Sequence, residues 1–252
     1  MSNISIQAVT KIYPTTPPVI ALDNITLEVN EGDFVALLGP SGCGKSTLLN
    51  LIAGFELPTS GSLRVNERAV VAPGPDRGVV FQEAALFPWL TVWENVIFGP
   101  KVQGLPRAEY EERAHEMLSI VGLHDFKQHL PIQLSGGMRQ RVGIARILTL
   151  GSRVLLMDEP FGALDAQTRL TMQELLLSVW QKLKPTILFV THDIDEAIFL
   201  SNTIHVMSAR PGRLQSTLTV PLARPRTVTD TASEAFRNMK LEVLNLIRNH
   251  HG

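Results

Sequence analysis

One stretch decides the fold of this chain: Gly39-Pro40-Ser41-Gly42-Cys43-Gly44-Lys45-Ser46. The apolar run Phe34–Leu38 precedes it, and a helical pattern over residues 47–53 follows it. The stretch matches G-x-x-x-x-G-K-[ST], and this strand–loop–helix setting is the one that the pattern requires. Its glycines let backbone N–H groups point at phosphate oxygens, and the helix N-terminus adds partial positive charge. The sequence therefore predicts a phosphate-binding loop in an α/β fold.

Two side chains of this loop are suited to act directly on a nucleotide. Lys45 would neutralise the outer phosphates, and the Ser46 hydroxyl is placed to bind Mg²⁺. We therefore expect ATP with Mg²⁺ as the bound cofactor, held by residues 39–46 and by Thr47 at the start of the helix.

Cys43 lies inside the loop and admits two interpretations. The simpler one is a small residue without a chemical role. The alternative hypothesis is that the helix N-terminus makes its thiol unusually reactive, so that a thiol alkylator inactivates the protein and ATP protects it.

The composition is that of an ordinary globular protein. The chain has 252 residues, of which 44% are apolar and 19% charged, enough for one large domain with a sizeable core. The net charge of −1 provides no basic field for nucleic acid or an anionic membrane, so we expect no nucleic-acid partner. The single cysteine excludes an internal disulfide and fits a reducing compartment.

Two features of the sequence bear on membranes. Residues 1–12 lack the basic-then-apolar layout of a signal peptide. No apolar run approaches the roughly 20 residues that a membrane-spanning helix needs. If this protein acts at a membrane, we expect another chain to supply the spanning helices.

Short apolar runs alternate with longer helical patterns along the chain. Runs that are apolar throughout are typical of strands buried on both faces in a parallel sheet; they cover residues 34–38, 79–81, 154–157, 187–191 and 203–207. Near the N-terminus, residues 4–9, 25–29 and 62–65 alternate in polarity and predict a small antiparallel sheet.

Three segments follow from these patterns. We expect a nucleotide-binding domain over residues 1–215, with a mostly helical insert at about 83–150. Residues 216–252 predict a linker and a final helix, in which apolar side chains fall near one face and favour docking on the same domain; they are Phe236, Met239, Val243, Leu244 and Ile247.

A second apolar run, over residues 154–157, ends in two carboxylates, Asp158 and Glu159. Successive residues at a strand end point in different directions, so the two side chains can have different partners. Asp158 can hold the Mg²⁺ shell, and Glu159 can polarise a water for attack on the γ-phosphate.

A third stretch opens a further helix: Leu134-Ser135-Gly136-Gly137-Met138-Arg139-Gln140-Arg141. Ser135 and the glycines place a hydroxyl and free N–H groups at a helix N-terminus, which makes a second anion site. One nucleotide does not need two complete phosphate cradles from one chain. We therefore infer that Ser135 serves a nucleotide held by another subunit.

Together, the phosphate loop, the Asp158–Glu159 strand end and the Leu134–Arg141 stretch resemble the nucleotide-binding subunit of an ATP-binding cassette (ABC) transporter over about residues 1–215. By this resemblance, Tyr13 stacks on adenine, and Gln82 contacts both Mg²⁺ and the attacking water. Asp165, in Ala163-Leu164-Asp165, lies in a loop that crosses the dimer interface, and His192 contacts the γ-phosphate. Ser135, Gly136 and Gly137 complete the site of a partner copy.

The resemblance implies a P-loop NTPase with a RecA-like α/β core, an antiparallel β subdomain and a helical subdomain. Two copies would pack head-to-tail around two ATP molecules. The region after Gln82 would transmit opening and closing to transmembrane permease subunits, and through them to a solute-binding protein. The expected place of action is the cytoplasmic face of the inner membrane, as a peripheral subunit.

Several stretches are similar to those of the nitrate/sulfonate/taurine importer group; they cover residues 73–82, 86–89, 193–197 and 210–213. Three alternatives remain. A soluble ABC ATPase acting on DNA or ribosomes would fit poorly with the absence of a basic stripe. A P-loop kinase or GTPase would leave residues 134–141 without a role, and a non-catalytic ATP-binding regulator would not need Glu159 and His192.

Overall fold

The computed structural model describes residues 2–208 and 210–248. In chain order, their strands and α-helices are β1 (Ser2–Tyr13), β2 (Val19–Asn30), β3 (Phe34–Leu38), α1 (Lys45–Ala53), β4 (Ser60–Val65), β5 (Arg68–Ala69), β6 (Arg77–Val80), α2 (Val92–Val102), α3 (Arg107–Ile120), α4 (Gly136–Leu150), β7 (Val154–Asp158), α5 (Ala166–Leu183), β8 (Thr186–Thr191), α6 (Ile194–Leu200), β9 (Thr203–Met207), β10 (Leu214–Thr219) and α7 (Glu234–Arg248).

The chain divides into two compact units. The first combines Met1–Gly74 with Lys184–Gly252, and the second is Pro75–Leu183. We call them the loop unit and the helical unit. Among the described residues, no helix has the length and apolarity that crossing a bilayer requires.

The loop unit contains the predicted antiparallel sheet, in the order β2-β1-β4-β5. Ile4, Ile6 and Val9 of β1 are fully buried, whereas Gln7 between them is exposed. This alternation gives the sheet one apolar face, which confirms the expectation from the sequence.

The same unit contains parallel strands with β3 at their centre. β3 pairs in parallel with β8 on one side and with β9 on the other. Every residue of β3 and β8 is buried, as the uniformly apolar runs predicted. β10 adds an antiparallel edge to β9. The sequence did not indicate β10, because its partly exposed, polar residues fall in the stretch we took as the beginning of a linker.

The tail of the loop unit docks on α6. Phe236, Met239 and Val243 of α7 are buried, and Lys240 Nζ lies 2.8 Å from Asp195 Oδ2 of α6. Arg226, only 5% exposed, donates from Nη1 to the carbonyls of Ile198, Phe199 and Ser201 at the end of α6. A buried guanidinium here satisfies carbonyls that a helix C-terminus leaves unpaired.

The helical unit consists of the parallel pair β6–β7 and four α-helices. Thr91 and Glu94 form a capping box at the start of α2, and both α2 and α3 pack against α4. Helix α4 therefore lies at the centre of the helices, and its N-terminus carries the stretch that begins at Ser135.

Candidate functional site

The phosphate loop connects β3 to α1 in the loop unit. Gly44 has φ +94°, and a Cβ on it would approach Leu22 Cδ2 to 2.6 Å and the Ala21 carbonyl oxygen to 2.9 Å. Only glycine combines this left-handed conformation with so close an approach. The backbone therefore turns sharply just before Lys45, the first residue of α1.

Lys45 is the cation of this loop. Its side chain is 5% exposed, and Nζ donates to the carbonyl oxygens of Gly39 at 2.8 Å and Pro40 at 3.1 Å. The ammonium thus lies over the loop, where it can exchange these carbonyls for phosphate oxygens. A left-handed glycine, a helix N-terminus and a buried ammonium together fit a nucleotide phosphate chain.

Cys43 is fully buried in the loop. Burial raises the pKa of its thiol, and this outweighs the opposing effect of Lys45. A reactive thiol needs a lowered pKa and solvent access. The structure therefore supports the simpler interpretation, in which Cys43 fills space beside the loop.

The stretch at 210–213 supports the phosphate loop from outside. The Gly212 N–H donates to the Ala21 carbonyl, the Gly212 carbonyl accepts from Asp23 N, and the Arg213 guanidinium pairs with the Asp23 carboxylate. A Cβ at Gly212 would overlap the Cys43 carbonyl oxygen. This turn therefore packs directly against the loop, a role that the sequence alone did not indicate.

His192 reaches the same edge of the loop unit as the phosphate loop. Leu38 pairs with Thr191 in the parallel register, so the residues that follow them, Gly39 and His192, leave neighbouring strands together. The residues on either side of His192 are held by hydrogen bonds to Glu196 of α6. Asp193 caps α6 by accepting from Glu196 N at 3.0 Å, and Thr191 Oγ1 donates to Glu196 Oε2 at 2.7 Å.

Tyr13, the expected adenine-stacking residue, ends β1 in the loop unit. Its hydroxyl donates to the carboxylate of Glu56, with distances of 3.0 and 2.9 Å to the two oxygens. Glu56 follows the end of α1, the helix that begins in the phosphate loop. The sequence did not single out Glu56, because nothing in its spacing relates it to Tyr13.

In the helical unit, the carboxyl ends of β6 and β7 bring together three predicted residues. Val80 pairs with Met157, so Gln82 follows β6 while Asp158 ends β7 and Glu159 follows it. Glu159 has φ +44°, a left-handed conformation that is rare for a residue with a side chain. Such strained backbone is concentrated at functional sites.

Gln140 fixes this edge from α4. The side chain is 2% exposed, and its Nε2 donates to the carbonyls of Phe81 at 2.8 Å, Gln82 at 3.2 Å and Pro160 at 2.7 Å. One amide thus ties the backbone on both sides of the carboxylate pair to the helix that starts at Ser135. Gln140 was quoted in the sequence as part of the stretch, without this role.

The start of α4 is built differently from that of α1. Ser135 is the N-cap, and its Oγ accepts from Met138 N at 3.3 Å. Gly136 is exposed, whereas Gly137 is buried so close to Thr168 that a Cβ on it would lie 2.6 Å from Cγ2. Asp165 accepts from Thr168 N at 3.0 Å, and hydrogen bonds from Thr168 lower the pKa of its carboxyl.

A cavity of about 620 Å³ opens in the helical unit beside these residues. Its walls include Gln82 and Leu86, Arg139 and Gln140 of α4, and Leu164 of the loop before α5. Close to it in sequence, Trp89 is 72% exposed and borders a second cavity of about 370 Å³ with Phe98 and Val102 of α2. Large exposed aromatic and aliphatic side chains in concave surfaces mark contact sites for other proteins.

The predicted Mg²⁺ ligands divide between the units. Ser46 is the second residue of α1 in the loop unit, while Gln82 and Asp158 lie in the helical unit. Within the described ranges, no group of three or more His, Cys, Asp or Glu side chains is arranged to hold a metal. Hydroxyl, amide and carboxylate oxygens combined with substrate phosphates suit Mg²⁺, which usually keeps several waters.

Comparisons with known proteins place this arrangement in a family. Residues 22–162 match the family model described as ABC transporter. A nitrate import ATP-binding protein of Synechocystis is 52% identical over 204 residues, 81% of this chain and 77% of that protein. A taurine import ATP-binding protein of Chromobacterium violaceum is 51% identical over 212 residues, 84% of this chain and 81% of that protein.

A solved structure agrees with these relatives. It is a dimeric ATP-binding cassette in a post-hydrolysis state, bound to ADP and Pi. The TM-score is 0.74 with 33% sequence identity, and the match covers 87% of this chain and all of that one.

Proposed function

Because the chain belongs to the ABC transporter family, as an ATP-hydrolysing subunit, we propose that two copies close around two ATP molecules and drive a small solute through partner membrane subunits. One observation carries the dimer proposal. The chain has two glycine-rich helix starts suited to phosphate, and they differ in their cations: Lys45 is buried over the first, whereas Arg139 of the second donates to the Leu134 carbonyl. A nucleotide that binds Lys45 of one copy and Ser135 of the other contacts both kinds of helix start.

The proposed roles follow from the chemistry of each side chain. Lys45 neutralises the β- and γ-phosphates, and Tyr13 stacks on adenine. The Glu159 carboxylate accepts a proton from the attacking water, which Gln82 orients, while His192 contacts the γ-phosphate. Ser46, Asp158 and Gln82 would hold Mg²⁺, which would supply positive charge to offset that of the phosphates when bound.

The γ-phosphate controls the dimer in this proposal. Its charge is neutralised from both sides only when Ser135 and Gly137 of the second copy approach Lys45 of the first. Hydrolysis removes the contact that favours the closed state, so the population shifts to open dimers. Asp165, capping α5 beside the Ser135 helix, contributes from the loop that faces the partner copy.

Membrane partners fit the cavities of the helical unit. The larger one is lined by residues 82–86, directly after the strand end that would sense ATP. Trp89 and Val102 add exposed apolar surface next to it. We propose that permease subunits dock here at the cytoplasmic face of the membrane, and that a solute-binding protein acts on them from the other side.

The solute belongs to the class carried by the relatives, small anions and sulfonates such as nitrate and taurine. The test is ATPase activity of the chain reconstituted with its neighbouring permease and binding protein, with each solute added in turn. Stimulation by nitrate or taurine supports the proposal. If the chain hydrolyses ATP but associates with no membrane protein in the cell, a soluble ABC ATPase is favoured instead.

A mixed dimer tests the shared site itself. We expect Lys45→Ala and Ser135→Arg proteins each to be inactive alone. In their mixed dimer both changes fall in one site, and the other site is intact. Random pairing predicts recovery of about a quarter of the unmodified activity, since half the dimers are mixed and each has one good site. No recovery on mixing would contradict a site formed by two copies.

A further inference from the structure

A carboxylate with no assigned role lies against the proposed adenine platform. Glu56 accepts the Tyr13 hydroxyl hydrogen bond with both oxygens, at 3.0 and 2.9 Å. Lys11 Nζ, on the same face of β1 as Tyr13, lies 2.9 Å from Glu56 Oε2 and donates to the Leu57 carbonyl at 3.0 Å. The same ammonium lies 5.1 Å from the centre of the Tyr13 ring.

This group of residues is tied to the helix of the phosphate loop. Glu56 follows α1 after a single turn, and two side chains on one face of α1 extend the network. Thr47 hydrogen-bonds to Tyr13, and Asn50 hydrogen-bonds to Glu56. Residues three apart lie on the same side of a helix, so α1 presents both to the end of β1.

The protonation states keep the contact in place. Partial burial and the Glu56 carboxylate raise the pKa of the Tyr13 phenol against the opposing Thr47 hydrogen bond, so Tyr13 remains a donor. Burial raises the pKa of Glu56, but hydrogen bonds from Lys11 and Tyr13 outweigh it and hold that pKa below its usual value. Near neutral pH, a protonated phenol therefore faces an ionised acceptor.

We propose that Glu56 is a positioning residue for nucleotide binding: it anchors the Tyr13 ring to α1, so that the base-stacking surface has a fixed place relative to the phosphate loop. The proposal rests on the function proposed above, in which Tyr13 stacks on adenine. A ring held at its hydroxyl end has fewer orientations to lose when a base stacks on it. The base and the phosphates of one nucleotide then bind to a ring and a loop whose relative positions are already fixed.

The expected gain is modest and confined to ligands with a base. Immobilising one side chain on binding typically weakens affinity by about 3- to 10-fold, which is the loss we expect when the anchor is removed. An inorganic polyphosphate does not touch Tyr13, so its affinity should not depend on Glu56.

Calorimetric titration of the full-length chain with ADP and with tripolyphosphate separates these effects. Glu56→Ala should weaken ADP by about 3- to 10-fold and leave tripolyphosphate unchanged. Tyr13→Phe removes the same hydrogen bond from the other side and keeps the ring, so it should match Glu56→Ala. The double variant Glu56→Ala/Tyr13→Phe should lose no more ADP affinity than either single variant. Glu56→Gln keeps a hydrogen-bond acceptor and should therefore retain most of the ADP affinity of the unmodified chain.

The outcomes separate this proposal from the proposed function. Parallel loss of tripolyphosphate affinity would mean that Glu56 merely supports the loop, and additive losses in the double variant would mean that it acts apart from Tyr13. Either result overturns the proposal. Tyr13→Ala provides the reference: if it weakens ADP while Glu56→Ala and Tyr13→Phe do not, stacking stands and the anchor is refuted. If Tyr13→Ala binds ADP normally, the adenine assignment itself is wrong.

Discussion

The starts of α1 and α4 are both glycine-rich helix N-termini, yet they are built for different tasks. At α1, Gly44 has no side chain to cap the helix, and the buried Lys45 supplies a full positive charge. At α4, Ser135 accepts from Met138 N within its own helix, and the exposed Gly136 follows. The first start therefore has a buried ammonium over its loop, whereas the guanidinium of the second, Arg139, is engaged by the Leu134 carbonyl.

This difference explains why one chain has both. A helix N-terminus is equivalent to about half an elementary charge, too little to hold a polyphosphate alone. Under the proposed function, the α4 start therefore adds to a phosphate that Lys45 of another copy holds, and it does not replace Lys45. Four predictions test this asymmetry.

Lys45→Ala has the largest expected effect, because it removes the buried ammonium of the stronger start. We expect ATP binding and hydrolysis both to become undetectable, measured by fluorescent-nucleotide titration and phosphate release. Lys182→Ala on α5 removes an exposed ion pair with Glu116 of α3, and it is a charge-matched control that should keep both. Retained ATP binding by Lys45→Ala would contradict the asymmetry.

Ser135→Arg affects only the weaker start. The long cation would obstruct approach of a second copy, so hydrolysis should be abolished while a single copy still binds nucleotide nearly as before. Nucleotide titration under conditions where the protein is monomeric measures whether a single copy still binds. Loss of monomer binding would mean that Ser135 serves its own chain's nucleotide.

Glu159→Gln should block ATP hydrolysis while the starts of α1 and α4 still bind the nucleotide. The amide cannot accept a proton, so hydrolysis should fall by about 10²- to 10⁴-fold while ATP binding is kept. ATP should then accumulate a dimer, visible by size-exclusion chromatography with light scattering. Normal turnover by this variant would show that another group is the base.

Alanine substitutions at Gly44 and Gly136 have the smallest expected effects. They compare the backbone conformations of the two helix starts without changing a charge. Gly44→Ala forces a Cβ into the left-handed region and onto Leu22, and should destabilise the fold by about 2–4 kcal/mol. A Cβ at Gly136 meets Leu164 Cδ2 at 3.5 Å and Arg139 Nη2 at 3.9 Å, which are ordinary contacts, so Gly136→Ala should change stability by less than about 0.5 kcal/mol. Urea unfolding measures both, and equal losses would contradict the difference in construction.

Much of the fold and site could be predicted because the relevant signals are local. The phosphate loop, the carboxylates after β7 and the Ser135 stretch are contiguous motifs, and buried strands reveal themselves by uniformly apolar runs. β10 was missed, since an exposed edge strand needs no apolar pattern. The docking of α7 was predicted from its apolar face, but the hold of Arg226 on the end of α6 was not.

The sequence by itself determined the chemistry: which residues carry charge, which glycines permit a phosphate cradle, and which family the chain resembles. Only the tertiary structure decided what holds those residues in place. Gln140 ties the backbone beside Gln82 to that after Glu159, and Glu56, which follows α1, accepts a hydrogen bond from the Tyr13 hydroxyl. Such contacts join residues distant along the chain through ordinary polar side chains, and their partners are set by how strands and helices pack.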